Sequence, residues 1–61
     1  MKPVSEGTKW RGIDKVFIVL AEVEADDGHK WVYYREELGN PPREYSCYKE
    51  SFLQRFTPLP D

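Results

Sequence analysis

His29 and Cys47 are the only histidine and the only cysteine in this 61-residue chain, so nucleophilic and metal chemistry must start from them. A thiol beside an imidazole can act as a nucleophile and its base. The pair also needs a third group to orient the imidazole, and nothing in the sequence marks one. His29 adjoins a turn, and Cys47 reads as a small buried strand residue. A zinc site usually takes four ligands of Cys or His type, and two are available. Asp26-Asp27-Gly28 has the look of a calcium loop, but such a loop spreads its ligands over twelve positions and closes on a Glu. An Asp-Gly pair is better read as turn chemistry. Glu36 and Glu37 would suit acid–base work only if held in a pocket with displaced pKa values. Beside a proline-rich loop they read as solvated. The four glycines fall singly at turns, and none builds a phosphate loop. The expectation is a protein that is not an enzyme, with no metal, no cofactor and no small-molecule substrate.

The elements that hold these residues must fit into one small domain. A chain of about this size buries roughly 60% of its unfolded surface, which leaves little margin. Nine aromatic residues, 15% of the chain, supply dense core material despite 33% charged residues. A lone cysteine forms no internal bridge, which fits a reducing compartment. No apolar run reaches signal-peptide or membrane-span length, so the expected location is the cytoplasm. The formal charge is −2, with the basic residues scattered. A nucleic-acid binder normally shows a net basic stripe. The acidic residues do cluster: Glu22, Glu24, Asp26 and Asp27 stand together with no base among them.

Lys15 to Val23 is β-branched and aromatic without Gly or Pro, which predicts a long strand. Lys30 to Arg35 is a second, and Ala25-Asp26-Asp27-Gly28 predicts the tight hairpin turn between them. Gly39-Asn40-Pro41-Pro42 must be a loop. Arg43 to Tyr48 predicts a third strand, and Trp10 begins a short earlier one turned by Arg11-Gly12-Ile13-Asp14. Phe52, Leu53 and Phe56 are at helical spacing, giving one or two turns before Pro58. The expected fold is mostly β, a small bent antiparallel sheet or SH3-like barrel with one short C-terminal helical turn. Residues 7–57 form the domain, with 1–6 and 58–61 as flexible tails.

Gly7-Thr8-Lys9-Trp10, Phe17-Ile18-Val19, Gly28 followed by Trp31-Val32-Tyr33-Tyr34-Arg35, Tyr45-Ser46-Cys47 and Phe52-Leu53-Gln54-Arg55-Phe56 stand in an order with a parallel elsewhere. It resembles a short prophage-encoded family of enteric bacteria, a domain of unknown function, and more loosely small bacterial SH3-like domains. The resemblance implies a phage or bacterial accessory protein and brings no activity or functional residue with it.

A two-residue or four-residue turn sets odd residues of the first hairpin strand beside even residues of the second. Phe17, Val19, Ala21 and Val23 with Val32 and Tyr34 then form the core face. The other face carries Val16, Ile18, Leu20, Glu22 and Glu24 beside Trp31, Tyr33 and Arg35. It is too apolar to stand bare. Either the Phe52–Phe56 turn or the Trp10 segment covers it, or a partner does. The expected binding residues are Leu20, Glu22, Glu24, Trp31 and Tyr33, a groove of rings and carboxylates for a basic or proline-rich segment or for a second copy in a homodimer. The alternative is a small barrel that binds nucleic acid by stacking bases on the rings between Lys and Arg side chains.

Overall fold

A computed structural model of the chain describes residues 4–60. The β-branched and aromatic runs form strands: β1 (Lys9–Arg11), β2 (Val16–Glu24), β3 (Lys30–Glu36) and β4 (Glu44–Tyr48). A seven-residue helix, α1 (Lys49–Arg55), follows β4 directly and leads to β5 (Thr57–Pro58). Glu50 in its first turn and Arg55 in its last suit the helix dipole. The strands form one open antiparallel sheet in the order β4-β3-β2-β1-β5. This is the bent sheet that the strand spacing predicts, with β4 and β5 as its edges.

The helix lies on one face of that sheet. Phe52 is fully buried and meets Trp10 edge to face, with ring centroids 5.1 Å apart. Val19, Val32, Tyr34 and Val4 complete the buried cluster, with Phe17, Cys47 and Phe56 packed against it. Gly12 sits where a Cβ would come within 2.9 Å of the Phe17 ring and 3.1 Å of Phe56, so a glycine there leaves room for the two rings to pack. Gly28 takes φ +86° and closes the β2–β3 loop.

The ordered body is wider than residues 7–57. Val4 is part of the core, and β5 takes in Pro58, with Leu59 N–H donating to the Lys9 carbonyl. Residues 1–3 and 61 of the expected tails lie outside the described residues.

The hairpin register differs from both expected ones. Glu24 pairs with Lys30, Val23 with Trp31 and Glu22 with Val32, so five residues separate the strands, and within them the Ala25 N–H donates to the His29 carbonyl. Beyond these pairs the ladder shifts, so that Val19 faces Tyr34 and Ala21 faces Tyr33. Leu20 is the extra residue of a β-bulge. Residues directly opposite one another share a face. Phe17 and Val19 therefore join Val32 and Tyr34 under the helix as expected, but past the bulge the faces exchange. Glu22 and Glu24 move to the helix side, while Ala21 and Val23 turn to the other.

Candidate functional site

No element among the described residues packs on the sheet face opposite α1. Both segments expected to cover it, Trp10 and Phe52–Phe56, lie on the inner side. The pairing sets the outer face in rows across the strands: Val23, Trp31 and Tyr48; then Ala21, Tyr33 and Ser46; then Lys9, Ile18, Arg35 and Glu44. In the first row Trp31 and Tyr48 have ring centroids 4.3 Å apart, and the His29 ring lies 5.2 Å from Tyr48. Tyr33, Val23 and Tyr48 are 46%, 45% and 40% exposed. Trp31, Ile18 and Leu20 are half-buried.

Of the expected binding residues, the structure brings Trp31 and Tyr33 together on this face and places Leu20 at the bulge beside them. It separates Glu22 and Glu24 from them. Glu22 instead takes Lys49 at 3.1 Å and Lys30 at 3.6 Å on the helix side, tying the start of α1 to the hairpin. Val23 and Tyr48 take the positions beside Trp31. Tyr48 was legible in principle, because an outward Trp31 needs an outward partner on the next strand; the register of that strand was the missing information.

Negative charge still borders the first row, from the loop and the first turn of α1 and not from the strand. Asp26, Asp27 and Glu50 are all exposed at the hairpin end. Asp27 Oδ1 accepts from the His29 backbone N–H at 3.0 Å, which fixes the loop, and Glu50 Oε1 lies 3.8 Å from His29 Nδ1. The two lysines at this end both turn to Glu22. At the far end of the same face Lys9 pairs with Glu37 at 2.6 Å, and Arg35 donates to the Glu36 carbonyl at 2.9 Å.

Candidate catalytic groups are not brought together. Cys47 lies opposite Val32 on the inner face, whereas the His29 ring stacks toward Tyr48 on the outer one, so the sheet stands between them. Glu36 and Glu37 point to opposite faces and take separate lysines. Glu36 is not solvated as its neighbours suggested. It is buried at the period-two core position after Val32 and Tyr34, accepts from Lys15 Nζ at 2.6 Å and takes the Arg43 N–H at 3.1 Å. The Lys15 ammonium, then the Arg43 amide, hold its carboxyl below the ordinary range, and Glu36 in turn raises Lys15. No three His, Cys, Asp or Glu side chains among the described residues gather to hold a metal. Two clefts of about 290 and 300 Å³ flank the Asp14 end of the molecule. One is lined by Lys15 and Glu36, the other by Phe17, Tyr34, Tyr45 and Phe56.

No helix among the described residues is long and apolar enough to cross a membrane. No family model, no curated protein and no solved structure matches the chain.

Proposed function

We propose that the outer sheet face is a docking surface for an extended basic or proline-rich segment of another protein, and that the chain is a non-enzymatic interaction module of the phage or prophage accessory type. The carrying observation is the row of exposed Val23 and Tyr48 with half-buried Trp31 between them, beside the acidic hairpin end. Aromatic faces accept prolines and guanidinium groups, and nearby carboxylates select for positive charge. Peptide binding on exposed aromatic surfaces of other domains supports the reading as an analogy of surface chemistry, not of fold. The free thiol of Cys47 fits a reducing cytoplasm.

The two tryptophans make the test direct. The Trp10 indole N–H is bound to Thr8 Oγ1 at 2.9 Å and its ring is buried, whereas Trp31 stands on the proposed surface. Titration with a peptide of alternating Arg and Pro should shift the Trp31 indole resonance and the Tyr48 amide, and leave the Trp10 indole in place. An acidic peptide should shift neither. Equal movement of both indoles, or none at millimolar peptide, would remove the reading.

A second reading draws on Lys9, Arg11 and Arg35, which the register puts on the same face as the rings. Stacking platforms between cations bind single-stranded nucleic acid. Salt-sensitive binding of a labelled oligonucleotide would favour it over the peptide.

A further inference from the structure

The two edges of the sheet are not alike. Along β5, Thr57 lies opposite Arg11 and Leu59 donates to Lys9, so the alternation of antiparallel ladders turns the backbone of Pro58 outward. A proline there has no N–H to offer, which closes that edge to another strand. The opposite edge has no such guard. The Glu36 N–H donates to the Arg43 carbonyl, and the same alternation makes Tyr45 and Cys47 the residues of β4 bonded to β3. The N–H groups of Glu44, Ser46 and Tyr48, with the carbonyls of Glu44 and Ser46, then face away from the sheet. β4 carries no proline and no lysine, has no bulge against β3, and is largely exposed. α1 packs on β3 and β4 from the inner face, where Phe52 is buried, so it does not roof this edge.

We infer that β4 pairs with β4 of a second copy, antiparallel about a two-fold axis at Ser46, to continue one sheet through both molecules. The proposal is independent of the basic segment and would stand without it. The edge is self-complementary. With Ser46 opposite its own counterpart, the two Ser46 residues exchange N–H and carbonyl in both directions. Each Tyr48 N–H meets the Glu44 carbonyl of the other copy. The Tyr48 carbonyl begins the helix ladder, so the Glu44 N–H opposite it stays hydrated and each end of the pairing carries one bond in place of two. Within the paired strands no like charges meet: the side chains opposed on the outer face are Ser46 with Ser46 and Glu44 with Tyr48, while Arg43 and Lys49 come opposite each other one residue beyond the strand ends. The acidic Glu44 would then stand beside the neighbouring Tyr48, and the outer faces of the two copies would run on as one surface. Joining by a short strand buries little area, so the expected dimer is weak, with Kd between about 10 μM and 1 mM.

Sedimentation equilibrium of the full chain and of two charge variants tests this. Ser46 is exposed, so Ser46→Lys and Ser46→Glu should each keep the wild-type circular dichroism. Each sets two like charges across the axis, and each should weaken the dimer about two- to fivefold. Mixing the two variants should restore association as a heterodimer, which a merely misfolded variant would not do. A wild-type chain that stays monomeric to about 1 mM overturns the proposal. So does a dimer that persists unchanged in both variants, because its contacts would lie elsewhere. Failure of the basic peptide to bind would leave these outcomes unaltered.

Discussion

Trp31 and Tyr48 face each other across the β3–β4 ladder with ring centroids 4.3 Å apart, on the side of the sheet that α1 does not cover. Such a pair contributes on the order of 1 kcal/mol beyond its buried area, which is modest for two large side chains. The comparison within the molecule is with Trp10 and Phe52, whose rings meet at 5.1 Å and are almost wholly buried. One aromatic pair serves the fold. The other stands on the uncovered face, with Trp31 half-buried and Tyr48 exposed.

Replacing Phe52 should therefore be among the most damaging single changes. It touches Trp10, Tyr34 and Phe56, and nothing nearby can fill its volume. Phe52→Ala should cost about 3–5 kcal/mol, a large part of the stability of so small a domain. Urea unfolding measures it. A loss under about 1 kcal/mol would mean that α1 is not clamped to the sheet as described.

Leu20 is different, because it has no partner in the β2–β3 ladder. Deleting it leaves Val19 opposite Tyr34 and Ala21 opposite Tyr33, so every other side chain keeps its face. The deletion variant should fold, losing about 1–2 kcal/mol for the half-buried side chain and the bulge-induced twist. Deleting Val32, a paired core residue, should abolish the fold, since it reverses the faces of one half of β3. Thermal melts of the two variants give the contrast. Equal damage from both would contradict the bulge assignment.

Glu36 gives the acid limb of stability a definite sign. Its folded carboxyl titrates below the ordinary value of 4.5, through the Lys15 ammonium first and the Arg43 amide second. The stabilisation is therefore full above pH 4.5 and is lost as pH falls through the lower folded value. Glu36→Gln should flatten melting temperature against pH in that acid range relative to wild type. An identical acid limb in the variant would show that another group governs it.

Much of this architecture was legible in residues 15–35. The β-branched run, the Asp-Gly turn and the apolar set Phe17, Val19, Val32 and Tyr34 each obey local rules. Phe52 and Phe56 were legible as a helical pair, though not as the cover of the inner face, because spacing says nothing about which side a short helix chooses. The bulge was hidden for a related reason. Loop length and bulge position compensate for each other, so a five-residue loop with an extra Leu20 keeps Phe17 and Val19 inward as a shorter loop without one would. Only Glu22, Glu24, Ala21 and Val23 report the difference, and their side chains fit either face. Glu36 was missed because its burial depends on Lys15, which lies 21 positions away in the chain.

The central claim is that the outer face works in binding and is dispensable for folding, and Tyr33→Lys tests it most directly. Tyr33 is 46% exposed on that face, so the variant should unfold within about 1 kcal/mol of wild type. Its added positive charge should weaken the Arg and Pro peptide by at least about tenfold, measured by the Trp31 indole shift in the same sample. A variant that unfolds would show that the face is core. A folded variant with unchanged peptide affinity would show that binding lies elsewhere, and either result would contradict the account.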